Sequence, residues 1–427
     1  MEAGALAAGA ALRAALALHP TWPRSLAARN ELATPLSALQ RLQEGHHLAT
    51  HLPTPLNPYE AGAVHHPPLA LALLGPLTDP HSSQPALSWA AWIAADVLTA
   101  WALARVADRR KRRPLVVDDG EKQWTGAWVA ALYLFHPFAI ATTLARSTTS
   151  FSNLFLALAI SSAVEGSLIT AAFHLSLATH LSLYPVLLLP PLILVAHLAT
   201  NSPESAERAP RSRVSCAVEG VLAFVGHQAV LLALSRWLTG SWAFLSSVYG
   251  VILTIPDLTP NIGLAWYFFI EMFDHFRAFF LVVFALHPLA YVAPLTIHYR
   301  KDPLFAAVLL IGAISLLKSY PSLGDWSLWH ALLGCYSELL PHVTSPLFHS
   351  LLPLYALLLL PSFSHLWLGS NSGNANFFYA STLVWAVAMG GWAVEAGKAW
   401  GRREATRGLD DEGRAKVRAG EWKVVQR

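Results

Sequence analysis

The chain has 427 residues, of which 54% are hydrophobic and only 13% charged, with a mean hydropathy of +0.43. That balance excludes an ordinary soluble protein and points to a polytopic membrane protein. The net charge of +3 is too small to argue for nucleic acid, and the two distant cysteines, Cys216 and Cys335, imply neither a disulfide framework nor a CxxC metal site.

Ala3 to Leu18 is an alanine-rich apolar run that begins with Glu2 and encloses Arg13. A signal peptide would carry a basic region at that start, so a first membrane helix fits better, with Arg13 snorkelling or facing a partner. From Pro20 to Pro68 the chain turns polar and proline-rich, as an aqueous loop does. Leu36, Leu39, Leu42 and Leu48 mark an amphipathic helix within it, and Pro53, Pro55, Pro58, Pro67 and Pro68 keep the chain beyond that helix from continuing it. Leu69 to Leu77 is too short to span and dips into the bilayer or lies flat.

Ala86 to Val106 is a clear span. Arg105, Arg109, Arg110, Lys111, Arg112 and Arg113 at its end fix the cytoplasmic side. Trp124 to Leu144 crosses next, Phe151 to Val164 is a marginal piece, and Leu168 to Ala199 spans with a tilt or a break near Pro185, Pro190 and Pro191. Arg208, Arg211 and Arg213 make the next loop cytoplasmic. Val214 to Leu238 runs outward, and Phe279 to Tyr299 returns to a third basic loop at Arg300 and Lys301. Leu304 to Leu317, Trp326 to Leu340, Leu347 to Leu360 and Phe377 to Trp400 complete an all-α bundle of about 10 spans, or up to about 12 if the marginal pieces cross. An even count leaves both termini cytosolic. Residues 1–400 then form a single membrane domain, 401–427 a basic cytosolic tail, and the segments 20–68, 241–275, 318–325 and 363–376 share the lumenal face.

Three of those lumenal segments are more polar than connectors need to be. In Thr254 to Phe280, Pro256, Asp257, Thr259, Pro260 and Asn261 read as an irregular loop. Leu264, Trp266, Tyr267, Phe268, Ile270, Phe273, Phe276 and Phe280 then build a helical stripe that also carries Glu271, Asp274 and His275. At 318–326, Lys318, Tyr320 and Asp325 stand at a helix end where Pro321 and Gly324 force a turn. Asn371, Asn374 and Asn376 precede the last span. Taken singly, these residues read as caps, with Asn376 or Ser372 as one N-cap and Asp325 as another; taken together they read as the lining of a polar pocket.

His47 and His51 stand four apart with His65 and His66 beyond, but no third ligand or HExxH pattern accompanies them, so no metal site is assigned and no cofactor is expected. His136, His287 and His342 sit beside prolines at the ends of apolar segments and read as structural. GxSxG, Walker, GxGxxG and DFG patterns are all absent, which leaves catalysis by this chain without support.

PDLTPNIGLAWYFFIEMFDHF at 256–276 resembles the signature of the phosphatidylinositol-glycan class U family, the multi-spanning subunit of glycosylphosphatidylinositol (GPI) transamidase. KSYPSLGDW at 318–326, GSNSGNANFFYA at 369–380 and SLYP at 182–185 resemble further elements of that family. Arg29, Glu31, Pro35, Glu44, Gly45, Pro58 and Tyr59 fall in its order in the first lumenal loop. The likeness covers the chain to about Lys398.

The resemblance implies a non-catalytic subunit in the endoplasmic reticulum membrane, with a fold related to the GT-C mannosyltransferases. It would help to bind the GPI glycolipid or the C-terminal signal peptide, beside other subunits that include a cysteine-protease-like catalytic one. The expected binding residues are Asp257, Asn261, Lys318, Tyr320, Asp325, Asn371, Asn374 and Asn376, with Trp266, Tyr267, Phe268, Glu271 and Phe273 meeting membrane lipids or partners. The alternative is a lipid-linked-sugar-dependent mannosyltransferase. Such enzymes typically carry an acidic motif, often an aspartate pair, in the first lumenal loop, whereas residues 20–68 hold Glu31, Glu44 and Glu60 and no aspartate, and Asp118 and Asp119 fall on the cytosolic side. A transporter would want acids in mid-span, for which Asp96 is the clearest candidate.

Overall fold

The computed structural model describes residues 1–52, 56–60, 62, 64–81, 84–112, 123–201, 210–407, 409, 412–413 and 416. Pro53, Pro55, Arg113, Asp118, Asp119, Arg208 and most of the basic tail lie outside these residues. All regular structure among the described residues is helical. The chain divides into two compact units, one of residues 1–119 and 124–335, the other of residues 120–123 and 336–427.

Among the described residues, five helices are long and apolar enough to cross a bilayer: Pro85–Lys111, Arg213–Thr239, Asp274–His298, Pro346–Gly369 and Ala375–Arg407. A sixth candidate is the pair Gly126–Leu134 and Pro137–Leu144, bent by 52°. The bend has a local cause. Pro137 cannot continue the ladder of the preceding helix, and His136 restarts it by accepting the Phe138 N–H on its ring nitrogen at 3.2 Å. The remaining apolar segments are shorter helices, among them Thr149–Val164, Leu168–Leu181, Tyr184–Thr200 and Pro303–Leu317. The stretch from Leu168 to Ala199, expected to tilt or to break near Pro185, takes the break: it is two helices, parted where Ser182 turns extended and Pro185 comes after it.

Short helices nevertheless run between two opposite ends of the first unit. At one end the basic loops gather: Arg105 pairs with Glu165 at 2.5 Å, Arg110 with Asp302 at 3.8 Å, and Asn201 bonds the Arg211 backbone. At the other end the Thr148 N–H donates to the Ser37 carbonyl at 3.0 Å. Thr149–Val164 thus joins the two ends, and the segment that is only marginal by hydropathy is a full structural traverse. The convergence of basic loops separated by long stretches of sequence agrees with one common membrane face for them.

Two charges inside apolar helices account for each other. Arg13 is fully buried and neither snorkels nor reaches another chain; its Nε lies 2.8 Å from Asp96, and its Nη1 donates to the Leu134 and Gly9 carbonyls. Asp96 also accepts from Thr143 and from the Tyr133 hydroxyl. The mid-span acid that would suit a transporter is therefore fully engaged in holding Glu2–Ala17 to Pro85–Lys111.

In the second unit Pro346–Ser364 packs along Ala375–Arg407. Glu395 ties the segment before the first of these helices to the second, accepting from the Thr344 N–H at 2.6 Å and from Arg402 at 2.8 Å.

Candidate functional site

At the end of the first unit away from the basic loops, Thr149–Val164, Leu168–Leu181 and Pro303–Leu317 enclose a cavity of about 70 Å³. Its apolar wall comes from Leu156, Leu181, Leu188, Ile311, Ile314 and Leu328. The polar wall carries Thr34, Ser37, Thr148, Thr149, Ser152, Asn153, Ser182, Tyr184, Ser315, Lys318, Tyr320 and Asp325. A row of hydroxyls and one amide around a single ammonium can donate to phosphate and sugar oxygens.

The segment 318–325 is fastened from four directions. Pro303–Leu317 ends as Lys318 turns extended, and Ser319 donates its N–H to the Tyr184 hydroxyl and its own hydroxyl to the Ile252 carbonyl. The Tyr320 hydroxyl donates to the Asp257 carbonyl at 2.9 Å. The Leu323 N–H reaches the Glu31 carbonyl at 2.8 Å, and Asn153 donates to the Gly324 carbonyl at 2.8 Å. Four elements distant in sequence thus converge on the KSYPSLGDW turn. The N-cap of the helix beyond it is Ser322, not Asp325; Asp325 stands three residues later and accepts the Ser322 N–H at 2.8 Å, a capping box.

Lys318 Nζ lies 2.6 Å from Asp325 Oδ1, with both side chains mostly buried. Asp325 is the only carboxylate among the described lining residues, and the lysine and the capping box occupy both its oxygens. Burial, reinforced by the nearby Asp257 charge, pushes the Tyr320 hydroxyl above its ordinary range, so it remains a neutral donor. Glu31 is buried behind the turn, and desolvation raises its carboxyl against the weaker pull of Arg29.

Lys318, Tyr320 and Asp325 are the expected site residues that the cavity brings together. Asp257 and Asn261 are spent on the turn beside it. Asp257 Oδ1 accepts from the Thr259 N–H and hydroxyl, and its Oδ2 lies 3.7 Å from Arg41. The Asn261 side chain is fully buried and closes its own loop, donating to the Thr259 carbonyl and accepting from the Gly263 N–H at 2.7 Å. The loop packs tightly, for a Cβ on Gly263 would lie 2.6 Å from the Pro321 ring. Ahead of it, Ile255 takes a left-handed conformation (φ 46°) that redirects the chain, and Arg277 holds its carbonyl at 2.8 Å.

The aromatic stripe divides. The helix Ala265–Glu271 breaks at Met272 and Phe273, and the chain re-enters helix at Asp274. Trp266, expected to meet lipid or a partner, is fully buried, because Ala265, Trp266 and Phe269 form the inward face of that short helix. Tyr267 and Phe268 are half-buried, the latter against Phe280 and Phe284, while Glu271 and Phe273 are exposed. Asn371, Asn374 and Asn376 lie exposed in the second unit. There Asn374 supplies the cap, its Oδ1 accepting the Asn376 N–H at 3.1 Å in the first turn of Ala375–Arg407.

Sequence reading passed over Thr34, Ser37, Thr149 and Asn153. The signal was present in STTSFSN at 147–153, a hydroxyl-rich run opening an apolar helix, but periodicity alone does not separate it from a helix start. The histidine reading also changes, because His46 and His51, not His47 and His51, share a site with Asp79.

Comparison with known proteins gives a consistent result. The family described as GPI transamidase subunit PIG-U matches residues 7–385. The human GPI-anchor transamidase component PIGU is 32% identical over 378 residues, covering 84% of each chain. The Saccharomyces cerevisiae GPI transamidase component GAB1 is 33% identical over 400 residues, covering 92% of each, and the GAB1 homolog of Schizosaccharomyces pombe is 30% identical over 379 residues, covering 87% of each.

Proposed function

The chain belongs to the PIG-U family and is a GPI transamidase subunit; from that premise we propose that its cavity beside Lys318 receives one phosphate or sugar group of the GPI glycolipid's polar head. One observation carries this reading. The cavity is the place where the elements SLYP and KSYPSLGDW meet the first long loop, and its polar wall is hydroxyls and one amide around one ammonium. Lys318, held by Asp325, suits a phosphate, and the hydroxyls and Asn153 suit sugar oxygens.

The clustering of the basic loops at the opposite end of the first unit supports a cytosolic side there, and on this reading the cavity opens toward the lumen of the endoplasmic reticulum. Catalysis belongs to another subunit of cysteine-protease type. In support, the one carboxylate among the described lining residues is engaged by Lys318 and the capping box. Phe273, Phe276 and Phe279, all exposed, face acyl chains or a neighbouring subunit, and the exposed asparagines at 371–376 add donors for GPI or a partner.

The test is binding of a soluble GPI headgroup analogue to the assembled transamidase complex. Removing one charge-assisted contact costs about 1.5–3 kcal/mol, so Lys318→Ala should weaken binding roughly 10- to 100-fold with assembly intact. Asn153→Leu should act in the same direction. Unchanged affinity in both variants would rule the cavity out as the headgroup site.

A further inference from the structure

Helices Leu39–Thr50 and Pro68–Thr78 lie side by side. Their C-terminal ends bring His46, His51 and Asp79 together so that one ligand atom from each lies within 4.8 Å of the others. His51 is the residue that closes the first helix, and Asp79 closes the second. The three residues come from two segments that the sequence does not link.

Each donor is already oriented by a neighbour. The Thr50 hydroxyl donates its proton to the His46 carbonyl at 2.7 Å, so toward His51 Nδ1, 2.8 Å away, it can only accept. That fixes the His51 tautomer with the proton on Nδ1 and the lone pair on Nε2, which faces Asp79 Oδ2 at 3.4 Å. Asp79 Oδ1 is occupied by the His81 N–H at 2.9 Å, which leaves Oδ2 for a ligand. The His46 ring rests on the backbone of Gly75, where a Cβ would lie 3.0 Å from its Nδ1.

Two imidazoles and a carboxylate, with outer hydrogen bonds in place on His51 and Asp79, match the protein donor set of a zinc-class ion. We propose that His46, His51 and Asp79 bind a divalent transition-metal ion of the Zn²⁺ class. The ion would tie the helix of the first long loop to the segment that leads into the span Pro85–Lys111.

The experiment uses the full chain in detergent micelles, stripped with chelator and titrated with Zn²⁺ against a chromophoric competitor. Co²⁺ absorption reads the geometry. The wild-type chain should take up one Zn²⁺ and show the visible bands of four-coordinate Co²⁺. Loss of outer hydrogen bonds costs about 10- to 100-fold in metal affinity, so Thr50→Val should weaken binding by about 10-fold, and His46→Ala, His51→Ala or Asp79→Asn by about 100-fold or more. His275→Ala, an exposed residue at the start of the helix Asp274–His298, should change nothing. Thr50→Val keeps every ligand and guards against misfolding as the cause. Absence of saturable uptake by the wild-type chain, or equal affinity in wild type and all three ligand variants, would overturn the proposal.

Discussion

Changing Asp96 to asparagine keeps the shape of the side chain and its contacts with Tyr133 and Thr143, but leaves the Arg13 guanidinium without a counter-charge. Both partners are shut away from solvent, with side-chain exposures of 0% and 1%. Removing one member of such a pair costs about 3–5 kcal/mol, a large share of the roughly 5–15 kcal/mol that holds a typical fold. Replacing both residues behaves differently, since a buried ion pair contributes little over well-packed apolar groups. Arg13→Leu with Asp96→Asn keeps the Tyr133 and Thr143 contacts and should then lose chiefly the hydrogen bonds to the Leu134 and Gly9 carbonyls, about 0.5–1.5 kcal/mol each. Thermal unfolding of the full chain in micelles, monitored by tryptophan fluorescence, should rank wild type first, the double variant close behind and Asp96→Asn well below. An Asp96→Asn midpoint at or above wild type, or a double variant less stable than the single one, would refute the reasoning.

Gly263→Ala should destabilise by about 1–3 kcal/mol, because the added methyl meets the Pro321 ring and the Asn261 amide, and the same unfolding assay reads it. Asn374→Ala should cost about 1 kcal/mol through its cap, while Asn374→Asp should retain the cap; GPI binding lost in the first and restored in the second would assign this residue to capping and not to ligand contact. Glu31 has its folded-state pKa raised above its ordinary 4.5 by burial, so its stabilising contribution is complete below the unfolded value and is lost as pH rises through the folded one. Glu31→Gln should therefore be more stable than wild type at neutral pH, and its stability should be less pH-dependent over that window. A variant that tracks wild type from acid to neutral pH would contradict the assignment.

How much of this was legible in the sequence depends on range. The polytopic all-α character comes from apolar runs, and the common face of the basic loops from where Arg105, Arg110 and Arg211 fall. The number of uninterrupted spans does not, because Pro137 and Pro185 split apolar runs into helices whose bends depend on packing. Lys318, Tyr320 and Asp325 stood out as polar residues in an apolar setting. Asp257 and Asn261 stood out for the same reason, yet their side chains serve the turn, a distinction set by hydrogen bonds over two residues and not by composition. Long-range partners were invisible. Nothing in the sequence joins Arg13 to Asp96, Asn153 to Gly324, or His46 to Asp79, since each pair meets only when the helices pack.

The most direct test of the cavity assignment is photocrosslinking. A GPI headgroup analogue carrying a photoreactive group, irradiated with the assembled transamidase and mapped by mass spectrometry, should label this subunit within residues 147–153, 182–185 and 318–325, with labelling reduced by Lys318→Ala. Labelling confined to other subunits, or to this chain away from those three segments and insensitive to Lys318→Ala, would contradict the claim.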